Sequence, residues 1–394
     1  STENFAEDGS QIDYRSIVDS DEELDVHEFC EPIERYADGT YYPLHIGEIL
    51  VDTYRIVHKL GWGGFSTVWM AQNIKTHSMV ALKINVPGDV GDQELSIQKE
   101  ILLTVEDLSH HSTFLDTFTL KGLRVTHLVI VSPVRGPNPY YYSSMPMKTR
   151  MSAAKQLLMA IKSLHDTDIV LCDLNSGSVL WDIGAINDYS QEMVYREFGR
   201  PRRALLSSDN WKSGEVVQPV KVNPELLRGA NIFLSDFGLA IKKGSPVKCK
   251  WQLPAMFCAP ERFHGIGPSF ASDMWSYMCL FAQFYLGYVP FEGNASITAL
   301  SSFSFLIGPL PLQWAGRYEV GGTTFKDNWY DQSRKPRTLE GMIERSKPKA
   351  SAAERELVLV VFQKVFTYLP EDRLTAAELL KDKDFNALMS IYEA

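Results

Sequence analysis

Phe233-Leu234-Ser235-Asp236-Phe237-Gly238-Leu239-Ala240 ends an apolar strand on a carboxylate and follows it with Phe-Gly. A carboxylate at a strand end can hold Mg²⁺, a hard ion that takes oxygen ligands and phosphate together. Asp-Phe-Gly alone is a common tripeptide, so the weight lies in its neighbours. Upstream, Ile169-Val170-Leu171-Cys172-Asp173-Leu174-Asn175-Ser176-Gly177-Ser178-Val179-Leu180 is an apolar run that breaks into a polar loop and resumes. Downstream come Ala259-Pro260-Glu261 and then Asp273-Met274-Trp275. In this order the combination is not a chance one.

Further upstream, Gly61-Trp62-Gly63-Gly64-Phe65-Ser66-Thr67-Val68 lies between two strand-like runs. Glycines there would let a backbone approach a triphosphate and turn N–H groups toward its oxygens, with Val68 against an adenine ring. By itself such a hairpin is more often only a tight turn. Lys83 follows in Val80-Ala81-Leu82-Lys83-Ile84, an ammonium inside an apolar strand. If buried it needs anions, which a nucleotide's phosphates and one carboxylate would supply; a strand-edge lysine reaching water is the plainer alternative. Glu100, in the helical SIQKEILLTVEDL, is the expected carboxylate. Glu94, nearer the preceding loop, is the second choice.

Around these motifs the chain divides by pattern. Residues 1–40 are polar and acidic, with SDEELDVHEF at their centre, and read as an extension that packs weakly. Tyr54–Val57, Thr67–Gln72 and Met79–Ile84 are short β-branched and aromatic runs, as in an antiparallel sheet. After Gly136 the period lengthens to that of helices in AAKQLLMAIKSLHD, SDMWSYMCLFAQFYLG and ERELVLVVFQKVF. Residues 41–135 are thus expected as a small β-rich lobe and residues 136–394 as a larger, mainly helical one: an α+β, bilobal architecture. Residues 182–228 lack sustained periodicity and read as an insertion, tolerated or regulatory.

Composition limits the partners. The 394 residues are 45% hydrophobic and 22% charged, as in ordinary globular proteins, and the net charge is −10. That charge disfavours nucleic acid or an anionic membrane and suits a basic protein substrate. The five cysteines form no Cys-x-x-Cys pair and are expected as reduced thiols. With no long apolar run and no basic-then-apolar start, the expectation is a soluble, intracellular monomer, cytoplasmic or nuclear.

Taken together, residues 45–390 resemble the protein kinase superfamily, and within it the SR-protein-specific kinases, particularly shortened fungal members. TYYPLHIGEIL followed by YRIVHKLGWGGFSTVW carries that likeness, and the 182–228 insertion lies where those kinases have a spacer. The resemblance implies ATP and Mg²⁺ as cofactors and an Arg/Ser-rich or basic protein as substrate. It implies Gly61, Gly63, Val68, Ala81, Lys83, Pro133 and Arg135 around the nucleotide, with Ser132 near the gatekeeper position. It implies Glu100 pairing Lys83, Asp236 on the metal, and Asp173 accepting the proton of the substrate hydroxyl. Glu261 with Arg373 would form a structural ion pair, and Asp273 would brace the catalytic loop.

The same loop departs from the family pattern. Leu171, Cys172, Asn175 and Ser178 stand where that pattern has His or Tyr, Arg or Thr, Lys, and a metal-binding Asn. Ser178 would be a weaker second-metal ligand, and Asn175 brings no charge to a transferring phosphoryl group. Cys172 removes the arginine that receives an activation-segment phosphate, and Lys242–Met256 contains one hydroxyl residue, Ser245. Two readings follow from the residues: a serine/threonine kinase with slow chemistry, or a pseudokinase acting as a scaffold or regulator.

Overall fold

The computed structural model describes residues 30–138, 145–206, 210–223, 226–227, 231–247, 254–293, 295–314, 319–320, 323–324 and 337–394. The chain forms two compact units: residues 1–95, 113–136 and 183–226, and residues 96–112, 137–182 and 227–394.

The first unit is built on a six-stranded antiparallel sheet in the order β1-β2-β3-β4-β6-β5. Its strands are β1 (Ile49–Leu50), β2 (Tyr54–Gly63), β3 (Ser66–Asn73), β4 (Met79–Asn85), β5 (Asp116–Lys121) and β6 (Thr126–Pro133). Val68 pairs Lys83, Met70 pairs Ala81, Ala81 pairs Ser132 and Gly61 pairs Val68. Paired residues share a face and side chains alternate along a strand, so Val68, Ala81, Lys83 and Ser132 lie on one face. Trp69, Ala71, Val80, Leu82, Ile84, Val129 and Val131 lie on the other and form the buried core.

What covers that core corrects the sequence reading. The short helix α1 (Glu34–Ala37) precedes the sheet, so residues 31–40 are not a weakly packed extension. Glu31, Tyr36 and Tyr41 are buried, and Lys59 of β2 is buried against the Glu31 carboxylate and the Tyr36 hydroxyl. Residues 1–29 of that extension lie outside the described residues. Nor is the insertion a bare loop: it contains α4 (Gln191–Phe198) and a hairpin of β9 (Arg203–Leu205) with β10 (Glu215–Val217). Val217 joins the sheet core, Glu215 accepts the Ile46 N–H at 2.9 Å, and Trp211 packs beside them. Gly214 is required by close approach, since a Cβ there would sit 2.6 Å from the Cβ of Pro43. The insertion therefore packs on the core face of the sheet.

Helix α2 (Asp89–Thr104) runs from the first unit into the second. The second unit is helical: α3 (Met147–His165), α5 (Phe270–Leu286), α6 (Ser296–Ile307), α7 (Leu339–Ser346), α8 (Ala352–Val365), α9 (Ala376–Lys381) and α10 (Lys383–Ile391). Helix α5 is buried from Ser272 to Leu286, as its predominantly apolar sequence favours, with Asp273, Ser276 and Gln283 among its buried polar exceptions. Ser269 caps its N-terminus and Gly287, in the left-handed region at φ 95°, ends it. Two small antiparallel pairs lie on this helical body: β7 (Ile169–Val170) with β12 (Ile241–Lys242), and β8 (Val179–Trp181) with β11 (Ile232–Leu234). Among the described residues no helix is long and apolar enough to cross a membrane. Among the described residues Cys30, Cys172, Cys258 and Cys279 are in the reduced form, outside any disulfide, and Cys249 lies outside those residues.

Candidate functional site

On the first unit, Lys83 makes an ion pair with Glu94, its Nζ 2.8 Å from Oε2 and 3.1 Å from Oε1. Glu100 is not the partner. Six residues along α2 is about 9 Å of rise and well over a turn and a half, which carries Glu100 to a different side of the helix from Glu94. Glu100 instead meets Lys242 at 2.7 Å, within the second unit. Because α2 begins at Asp89, Glu94 is already inside the helix and not in the loop before it.

The glycine hairpin passes a separate test. A Cβ added at Gly61, Gly63 or Gly64 would meet nothing within 4 Å, and none of the three has a positive φ. Neither backbone strain nor internal packing demands glycine there; the open space along the backbone suits a ligand that must come close, as a triphosphate does. Val68, Ala81 and Ser132 share the Lys83 face, and β6 ends at Pro133, followed by the buried Val134 and the half-buried Arg135. These are the residues expected around a nucleotide base, with the Pro133 carbonyl and Arg135 N–H as the expected edge groups.

On the second unit, pairing of Val179 with Leu234 places the loop after β7 beside Asp236. Asp173 is half-buried, and burial together with the negative charge of Asp236 pushes its carboxyl up to about 7. Two carboxylates that oppose each other in this way are suited to a divalent cation. Asp236 holds a left-handed backbone at φ 61°, and Cys172 does so at φ 65°. Non-glycine residues keep such conformations only where their surroundings enforce them, at a cost of order 1–3 kcal/mol. The enforcement at Cys172 is visible: Asp273 of α5 accepts the N–H groups of Leu171 at 2.8 Å and Cys172 at 3.1 Å, and pairs with His165.

The divergent residues of this loop have become its internal frame. Asn175 caps the 3-10 turn Ser176–Ser178, its Oδ1 accepting from Gly177 N–H at 2.8 Å. Its amide group donates to Asp173 Oδ1 at 3.2 Å. The Ser178 hydroxyl, buried, accepts from Asn175 N–H and donates to the Asp173 carbonyl at 2.9 Å. Ser178 is thus turned into the loop, and the expectation that it serves as a metal ligand is not supported: a hydroxyl engaged in both roles has little left for a cation. Among the described residues no set of three or more His, Cys, Asp or Glu side chains could hold a metal. Mg²⁺ typically uses one or two carboxylates and completes its shell with phosphate and water, which Asp236 can support.

Further along, Arg373 meets Glu261 through two bonds of 2.6 Å, both side chains fully buried. This bidentate pair ties the segment around Pro260–His264 to the helical body. The Protein kinase domain family matches residues 54–385. The chain belongs to that family. It is 26% identical over 293 residues to the probable serine/threonine-protein kinase clkA of Dictyostelium discoideum, covering 70% of this chain and 29% of that one. It is 32% identical over 180 residues to the serine/threonine-protein kinase SKY1 of Saccharomyces cerevisiae, covering 41% of this chain and 24% of that one. This kinase domain therefore spans under a third of the length of either relative. A solved crystal structure of a kinase domain shares the fold, with a TM-score of 0.61 at 19% identity, over 88% of this chain and 99% of that one.

As a kinase domain, the chain carries a residue that sequence reasoning passed over. Lys59 lies in β2 beside His58 and between the apolar Val57 and Leu60, and the argument applied to Lys83, that a buried ammonium needs a carboxylate, calls for one here too, which Glu31 supplies.

Proposed function

We propose that the chain is a Mg·ATP-dependent protein serine/threonine kinase that phosphorylates serines in Arg/Ser-rich or otherwise basic proteins, with a slow chemical step. The observation that carries this reading is the frame around Asp173. A catalytic loop with four departures from its family pattern still holds its carboxylate, through Asn175, and is still braced by Asp273.

Lys83, held by Glu94, would take the α and β phosphates, and the open glycine hairpin would admit them. Asp236 would hold Mg²⁺, which when bound offsets the negative charge of the phosphates. Asp173, with its carboxyl raised toward neutrality, would orient the substrate serine and accept its hydroxyl proton as the serine oxygen bonds to the γ-phosphorus and ADP leaves. Asn175 is neutral, so charge building on the transferred group lacks a cation from this loop, and turnover is slowed at chemistry and not at binding. The net charge of −10 favours a basic protein partner over nucleic acid, and we propose action as a monomer.

The second reading, a pseudokinase with a scaffolding role, is favoured by one observation: the Asn175 amide and the Ser178 hydroxyl are both engaged inside the loop. Radiolabelled Mg·ATP with an Arg-Ser repeat peptide, beside an acidic serine peptide and an Asp236→Ala control, separates the two. Transfer to the Arg-Ser peptide alone, lost in the control, supports the kinase; no transfer by the wild type overturns it.

A further inference from the structure

We infer that Arg35 and Tyr41 are positioning residues that aim the glycine hairpin at the phosphates of the nucleotide. This rests on the nucleotide-binding reading above and adds a brace from outside the hairpin. Tyr41 donates its hydroxyl proton to the Gly63 carbonyl at 2.8 Å, and Arg35 Nη2 donates to the Gly64 carbonyl at 2.8 Å. The two are coupled: Arg35 Nη1 donates to the Tyr41 hydroxyl at 2.7 Å, and the guanidinium lies 4.3 Å from the centre of the Tyr41 ring.

The consequence follows from peptide geometry. In a trans peptide the carbonyl and the next N–H point in opposite directions. Drawing the Gly63 and Gly64 carbonyls toward Tyr41 and Arg35 therefore turns the N–H groups of Gly64 and Phe65 the other way, as donors in a row. Glycine loses more conformational freedom on ordering than any other residue, so fixing beforehand the peptide planes of a hairpin tip with glycine at 61, 63 and 64 removes part of that cost from binding.

The brace is rooted on the same strand that it aims. Lys59, four residues before Gly63 on β2, is buried with Glu31 and Tyr36, and its ammonium lies 4.3 Å from the Trp69 ring centre. Tyr36 and Tyr41 meet edge to face at 5.6 Å. The segment from Glu31 to Tyr41 thus spans from a buried ion pair at one end to the two carbonyls at the other.

The test uses the full chain and calorimetric titration with two probes, Mg·ADP and adenosine. Arg35→Gln and Tyr41→Phe should each weaken Mg·ADP by roughly tenfold, the scale of one lost hydrogen bond of this kind. Adenosine affinity should stay within about twofold in both, because the brace acts on groups that face phosphate. The double variant should lose little more than either single one, since the two side chains form one relay. Equal weakening of both probes would mean a merely structural role and overturn the inference, as would unchanged Mg·ADP binding in both variants. A wild-type chain that binds neither probe would overturn the nucleotide reading itself, and the brace with it.

Discussion

Substituting Glu94 and Glu100 in parallel tests the assignment on which the first unit depends. Glu94 is 2% exposed and its partner Lys83 18%, so removing the carboxylate leaves an ammonium with little water to replace it. Deleting one member of a buried pair costs about 3–5 kcal/mol, and the partial opening on the Lys83 side puts Glu94→Gln nearer 2–3 kcal/mol. Glu100 and Lys242 are 34% and 43% exposed, so Glu100→Gln should stay within about 0.5 kcal/mol. Urea unfolding of the nucleotide-free chain reads both. In the transfer assay Glu94→Gln should lower kcat/KM by about 10² or more, the scale of a lost charge-positioning contact, and Glu100→Gln by less than threefold. Replacing both partners, as Lys83→Met with Glu94→Leu, should recover much of the stability lost in Lys83→Met alone while activity stays absent. A silent Glu94→Gln beside a damaging Glu100→Gln would refute the helix register and the pairing drawn from it.

Three further outcomes are expected. Asp173, raised to about 7 from an ordinary 3.8, holds a proton in the folded chain that the unfolded chain releases, so its contribution to metal-free stability, read as the difference from Asp173→Asn, should be greatest below about pH 4 and be lost as pH rises toward 7. The loss should be on the order of a few kcal/mol, absent in Asp173→Asn, and opposed by millimolar Mg²⁺ more at pH 8 than at pH 5, as melting across pH in EDTA and in Mg²⁺ would show. Asn175→Lys should raise kcat by about 10² with little change in the KM for ATP, while unfolding measurements show about 1 kcal/mol lost with the cap. Gly63→Ala, with open space around its Cβ and no positive φ, should leave the melting temperature within about 2 °C of wild type yet weaken Mg·ATP severalfold in a titration.

Much of this is legible in the sequence because the informative groups sit in short motifs whose local backbone the sequence itself imposes. Asp236 follows an apolar strand, the glycines at 61, 63 and 64 mark the hairpin between two strand runs, and α5 is apolar over most of its surface. The pairing of Lys83 was not legible in detail, since which of two helix carboxylates faces it depends on where α2 begins and how it is rolled. Ser178 reads as a metal ligand from its place in the motif, but a hydroxyl can turn either toward an ion or back to its own backbone, and the capping geometry decides. Three-residue strands such as β9 and β10 are too short to show a period, so the insertion looked structureless while supplying Val217 to the core. Glu31 was hidden by its acidic neighbours, although Lys59 pointed to it.

The central claim is that this chain transfers phosphate and does not merely hold nucleotide. A single-turnover experiment addresses it directly, with enzyme in excess over radiolabelled Mg·ATP and an Arg-Ser peptide saturating, so that even one slow turnover is counted. Phosphoserine should appear in one exponential phase with the wild-type chain and be lost with Asp173→Asn while Mg·ATP stays bound. Bound Mg·ATP that never yields phosphoserine with the wild type, over times at which the protein remains folded, would contradict it.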